Sequence, residues 1–293
     1  MLRGWLSVLG LLVLVVGLAA WVYWIERPSE PKSSPLIAGF ASEAVQHIVI
    51  ERQTDRMEFE RQGDSWRMIQ PFNAPADAYH IQQLLALPTQ NSSNRYAAAE
   101  LDLARFGLNP PKVTVRLGTA ELQFGDQNPL NFKRYLKTDG VIHLIDDSLF
   151  YPLTAPATTW IEAKLLPNGN LKGLELPGWR IFTKETGGWA SEPELSSAEI
   201  EQLIDTWRNA RAIEVRPYSA EPPSGSLRVR VLLDSGTLEF VVLQQEPELI
   251  LLRPEQKLSY HFYGAIGQRL LTPKPKAQTD AGTAGSRDDP PGP

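Results

Sequence analysis

Gly63-Asp64-Ser65 is the first place to look for chemistry. It lies in "RQGDSWRMIQPFNAPAD", Arg61 to Asp77, and one class of hydrolases carries its nucleophile in such a tripeptide. A serine nucleophile needs a base beside it, a group that orients that base, and amides to receive the oxyanion. The bases on offer are His47, His80, His143 and His261. Three of them fall in strand-like runs and His80 opens a helical pattern, so no local pattern sets one beside Ser65. A later stretch, "TGGWA", repeats the glycine turn and the tryptophan without the serine. The tripeptide therefore reads as a hairpin turn, in which Gly63 gives backbone freedom and Asp64 a side-chain acceptor.

Other chemistry finds no better footing. The four histidines are widely spaced, with no His-x-His or His-x-x-x-His pair to hold a metal. Asp146-Asp147 reads as a solvated strand end. Neither a phosphate-cradling loop nor a dinucleotide fingerprint is present. The absence of cysteine excludes disulfides, thiolate catalysis and Cys-based metal sites. A net charge of −5 without a Lys/Arg run argues against nucleic acid. Among the tryptophans, Trp66, Trp189 and Trp207 take repeat or helix-face positions that suit a core. Trp160 and Trp179 lie among apolar neighbours and are assigned to the core as well. The sequence thus offers no catalytic residue, no metal ligand and no cofactor site.

What it does offer is organisation. "WLSVLGLLVLVVGLAAWVYWI", residues 5–25, is 21 residues without a charge. As a helix it spans roughly the 30 Å hydrocarbon layer, with aromatic residues at both ends. It is expected to be a transmembrane anchor inserted in the lipid bilayer, with residues 1–4 cytoplasmic. Gly17, Ala19 and Ala20 offer a signal-peptidase alternative, but the apolar run continues past them. Residues 26–39, with Pro28, Pro31 and Pro35, form a Pro-spaced linker. Residues 272–293 have no apolar side chain larger than alanine and read as a disordered tail.

The body between them repeats itself. Trp66 is echoed by Trp189, and Ile81, Leu84 and Leu85 by Ile200, Leu203 and Ile204. "VTVRL" and "ELQF" return as "LRVRVLL" and "TLEF", at a shift of roughly 116 to 123 residues. Each copy runs from a Trp strand to a helix and on to two strand pairs. The hairpins are punctuated by Gly118-Thr119, Asp139-Gly140 and Asp234-Ser235-Gly236. Ser196 and Glu199 have capping-box spacing, and Ile200, Leu203, Ile204 and Trp207 form the apolar stripe of the second helix. The expected fold is α+β: two similar copies, residues 40–155 and 156–271, each an antiparallel sheet with a packed helix, preceded by one transmembrane helix.

The order of these features resembles a bacterial family of membrane-anchored, uncharacterised proteins, domain of unknown function 4340. The resemblance rests on the "GDSW" strand, Pro71, Pro75, Ala76 and Asp77 at the helix start, "FGLNPP" from Phe106 to Pro111, "VTVRL", and a turn at Gly125-Asp126. It covers Val45 to about Leu153 and weakens beyond. Some members of that family are encoded beside ABC-type transport components, and the family implies no activity. The expectation is a non-catalytic, single-pass accessory or scaffold protein of an envelope complex, such as an ABC-type transport system. It would sit in the inner membrane with its body in the periplasm and other envelope membrane proteins as partners. The alternatives are an envelope enzyme acting on polysaccharide or cell-wall material, and a ligand-binding module.

Overall fold

The structure, a computed structural model, describes residues 14–18, 21, 34–37, 39–92, 94–166 and 170–273. Of the apolar run at 5–25, residues 14–18 and 21 are described and helical, and the rest lies outside the described residues. Among the described residues no helix is long and apolar enough to cross a membrane. All of the expected tail beyond Pro273 also lies outside them.

In chain order the first half carries β1 (Ser34–Pro35), β2 (His47–Arg52), β3 (Arg56–Gln62), β4 (Ser65–Gln70) and β5 (Ala74–Pro75). Helix α1 (Ala78–Ala86) follows, then β6 (Asn91–Ser92), β7 (Arg95–Ala97), β8 (Val113–Leu117) and β9 (Ala120–Gln127). Next are β10 (Arg134–Thr138), β11 (Val141–Ile145) and α2 (Phe150–Thr154). The second half has β12 (Leu171–Leu176), β13 (Trp179–Thr183), β14 (Trp189–Glu192) and α3 (Ser197–Asn209). It closes with β15 (Glu214–Pro217), β16 (Arg228–Leu233), β17 (Gly236–Gln244), β18 (Glu248–Arg253), β19 (Leu258–Tyr263) and α4 (Ala265–Leu271). The long strands form two antiparallel sheets, of nine and eight strands, and β1 pairs with β6 in a small third one. The α+β expectation stands at that level.

By compactness the chain divides into two units, residues 1–55 with 82–154, and residues 56–81 with 155–293. In the first unit the strands follow the order β2-β8-β9-β10-β11-β7. In the second, one run is β12-β16-β17-β18-β19-β15, flanked on the β12 side by the hairpin β13-β14. The hairpin β3-β4 belongs to this unit too. The six-strand runs are built alike: one strand, two consecutive hairpins, then a short strand that returns from an earlier point in the chain.

Local chemistry accounts for the turns. Asp139 and Gly140 both take positive φ, 48° and 75°, the pair of left-handed residues that a tight hairpin requires. Gly107 ends the short helix Leu103–Phe106 at φ 65°, and the Asp102 carboxylate accepts from Ala104 N at the other end. In α3 both capping-box bonds form. Ser196 Oγ accepts from Glu199 N at 3.3 Å, and a Glu199 oxygen accepts from Ser196 N at 3.0 Å.

Alternation sets the cores. In the first unit Ile48, Ile50, Val115, Leu122, Phe124, Leu136 and Leu144 are buried. In the second, Met57, Phe59, Trp66 and Met68 are buried from the β3-β4 hairpin, and the α3 stripe is buried throughout. Trp207 is fully buried and donates to the Leu270 carbonyl at 2.9 Å. Trp160 is fully buried as expected, but Trp179 and Trp189 are only half-buried. They sit in the short strands β13 and β14, and β14 ends its sheet, so fewer neighbours cover them.

A candidate functional site around Asp77

The opening tripeptide is a turn in three dimensions as well. Strands β3 and β4 pair from Gln62↔Ser65 onward, and Ser65 Oγ donates to the Gln62 carbonyl at 3.0 Å. The hydroxyl closes its own turn.

Polar side chains gather instead at the other end of that stretch, all within the second unit. Ala76 N donates to the Trp66 carbonyl at 2.9 Å, Asp77 N to the Trp160 carbonyl at 2.8 Å, and Glu162 N to the Pro75 carbonyl at 2.9 Å. These bonds lay the extended segment 160–162 along residues 75–77. Three residues on, the same segment pairs with the stretch after α3. Leu165 N donates to Ala210 O at 3.0 Å, and Ala212 N to Ala163 O at 2.9 Å. Asp77, Glu162 and Arg211 are thereby brought together across 134 residues of chain. Nothing local in the sequence announces that meeting.

Asp77 is a buried acid held by three contacts from two residues. Its Oδ1 accepts from His80 N and lies against His80 Nδ1, both at 3.1 Å. Its Oδ2 accepts from Arg211 Nη2 at 3.2 Å, while Arg211 Nη1 reaches Glu162 at 2.6 Å. The bond to the His80 side chain, above all, holds the Asp77 carboxyl below its usual range, with Arg211 acting in the same sense against the effect of burial. The His80 ring packs on Trp160, centroids 5.2 Å apart, and Trp160 packs on Phe59 at 5.8 Å.

An Asp–His pair is also two-thirds of a hydrolytic triad, so its context matters. Among the described residues the His80 ring is hydrogen-bonded to Asp77 and to no hydroxyl. Moreover, Asp77 and His80 stand at the start of α1 with the spacing that Ser196 and Glu199 have at the start of α3. Each pair binds a helix N-terminal amide with the first member and folds the second back onto it. The geometry is that of a helix cap.

Beside the cluster lies a cavity of about 330 Å³, lined by Asp77, Thr158, Thr159, Ile161, Ile213 and Glu214 among others. Strand β15 forms one wall and is the last strand of its sheet. The Glu214 carboxyl is held below its usual range by Arg216, whose guanidinium binds it at 2.6 and 2.7 Å. Both acids lining the cavity are therefore ionised at neutral pH, so they accept hydrogen bonds and do not donate a proton there.

Of the remaining sequence candidates, His47, His143 and Asp147 belong to the first unit, while His261 is in the second and pairs with Glu214 of β15. His47 is in β2, His143 in β11 and His261 in β19. Asp147 is less solvated than expected, because it forms a two-pronged ion pair with Arg134, which is buried and packs over the Phe150 ring at 3.3 Å. Among the described residues no three His, Cys, Asp or Glu side chains are grouped to hold a metal ion.

Compared with known proteins, the sequence model described as Domain of unknown function (DUF4340) matches residues 66–226. No curated protein and no solved structure shows significant similarity to the chain.

Proposed function

The chain belongs to the domain of unknown function 4340 family, and from that premise we propose that it works by binding, as an accessory or scaffold subunit of an envelope complex. In this reading residues 5–25 anchor it once in the inner membrane. The body then stands in the periplasm on the linker that follows, and an ABC-type transport system is the class of machine it would serve. The observation that carries the proposal is the fate of the titratable cluster. Asp77, His80, Glu162 and Arg211 bond to one another, and Asp77 caps the start of α1 as the Ser–Glu capping box does at α3.

The body fits this reading as a duplication. The runs β2-β8-β9-β10-β11-β7 and β12-β16-β17-β18-β19-β15 share one connectivity, as descent from a doubled unit would leave them. Doubling a folded unit multiplies surface without requiring any chemistry.

A second reading has its own support. The 330 Å³ cavity, with its two Thr hydroxyls, ionised acids and apolar walls, has the size and mixture of a small-ligand site. Chemical cross-linking of the tagged full-length protein in its own membranes, followed by mass spectrometry, separates the two. Integral membrane proteins recovered at a fixed ratio support the accessory role. Recovery of the protein alone, together with a melting temperature raised by a glycan or a lipid, would overturn it in favour of the ligand module.

A further inference from the structure

We propose that the cavity beside Asp77 takes a short, uncharged peptide whose main chain pairs with the free edge of β15. This rests on the ligand-binding reading of that cavity and names its ligand. Pairing on the outer side of the stretch that leads into β15 begins normally. Lys164 pairs antiparallel with Arg211, and Ala212 N donates to the Ala163 carbonyl at 2.9 Å. It goes no further. Residues 160–162 bond instead to residues 75–77, Asp77 N to the Trp160 carbonyl and Glu162 N to that of Pro75. The cavity opens where the two segments part, with Thr158, Thr159 and Ile161 on one wall and Ile213 and Val215 on the other.

The register of β15 shows which of its groups are left over. Tyr218 N donates to the Lys257 carbonyl at 2.9 Å, so Arg216–Ser259 and Glu214–His261 are the hydrogen-bonded pairs of the β15–β19 ladder. Such pairs alternate, so Val215, opposite Tyr260, turns its amide and carbonyl away from β19. Among the described residues nothing bonds to either group, and the hydroxyls of Thr158 and Thr159 have no protein partner. Pro217, the next outward position, has no amide to donate.

These unspent groups select the ligand. An outward amide and carbonyl on one residue are a template for another main chain, and the hydroxyls opposite serve a donor or an acceptor on its far edge. The two acids that line the cavity are already bonded to guanidinium groups, Asp77 to Arg211 and Glu214 to Arg216, so neither calls for a cation. None of the lining residues is aromatic, which leaves a sugar without a ring to stack on. With the ladder interrupted at Pro217, a long strand gains little over a short one. A volume of about 330 Å³ also lies at the small end for ligand sites. The occupant is therefore a free peptide of a few residues and not a strand of a partner protein.

The test titrates acetyl-Val-Ala-Val-N-methylamide into the full-length chain in a calorimeter, alongside V215P, V215A and T158V/T159V. Proline suits an outward edge position and removes the amide donor, while V215A controls for the lost side chain. The native chain and V215A are expected to bind the peptide, and V215P to bind it at least tenfold more weakly than V215A. T158V/T159V loses a similar factor, and it carries the test should V215P not fold. A longer peptide with the same three residues at its centre binds no more tightly. No binding at millimolar peptide, equal affinities of V215P and V215A, indifference to T158V/T159V, or a tenfold gain from the longer peptide would each overturn the proposal. If N-acetylglucosamine or a lipid binds instead and is lost in T158V/T159V, the ligand-binding reading survives that failure. If no ligand responds to these variants, both fall.

Discussion

Two histidines in corresponding strands show how one residue type is used in opposite ways. His143 in β11 faces Leu136 of β10 and Arg95 of β7, and His261 in β19 faces Ile250 of β18 and Glu214 of β15. His261 finds Ser259 Oγ at 3.1 Å and Glu248 at 3.4 Å. His143 is buried with no partner for its Nδ1, and Thr138 Oγ1 on the neighbouring strand is likewise unsatisfied. Burial, seconded by the Arg95 charge and opposed by Asp139, pushes the His143 imidazole down to about 4 from an ordinary 6.5. Because the folded state resists the proton, the stability this site contributes is complete above pH 6.5 and falls as the pH drops toward 4. At pH 4.5 the loss is on the order of 2 kcal/mol relative to pH 7. Urea midpoints at both pH values, for the native chain and His143→Leu, should show the native chain losing that much more. Equal losses would mean that the site does not titrate this way.

At the scale of elements, the start of α1 can be taken apart by paired substitutions. Asp77→Ala removes both the helix cap and the acceptor for Arg211, and is expected to cost about 2 kcal/mol in urea denaturation. Asp77→Ser keeps a capping oxygen and loses the Arg211 contact. Arg211 is about half exposed, with side-chain exposure of 54%, so that contact is worth little. Serine should therefore recover most of the loss. Equal damage from both variants would place the stabilisation in the ion-paired cluster and not in the cap. The elements themselves were legible in sequence where the signals are local. The Asp139-Gly140 turn, the Ser196–Glu199 box and the stripe ending at Trp207 all appear where residue chemistry puts them. Short strands such as β7 and β15, with three and four residues, carry too little alternation to be read, and they form only because long neighbours template them. Arg211 meets Asp77 through tertiary pairing alone, so no local pattern identifies the cluster.

For the whole molecule, the question is where the folded body starts. Composition places the start at Phe40, because the preceding segment is rich in proline and serine. The structure holds residues 34–37 within the first unit. Ser34 and Pro35 pair with Ser92 and Asn91, Leu36 N donates to the Gln90 carbonyl, and Ile37 N donates to the Pro88 carbonyl, both at 2.9 Å. Arg95 Nη2 also binds the Pro35 carbonyl at 2.9 Å. Leu36 is buried. Proline fixes the backbone angle that an extended strand already uses, so a segment that reads as linker by composition can serve as a strap once it has a partner. A chain beginning at residue 40 loses the burial of Leu36, the β1–β6 pairing, the two main-chain bonds that follow it and the Arg95 contact, a net loss of about 3 kcal/mol. For a body of this size that lowers Tm by roughly 6 to 12 °C relative to a chain beginning at residue 34. Calorimetry on the two truncations decides the matter. A matched pair of melting temperatures would show that the strap adds nothing to the fold and that the body does begin at Phe40.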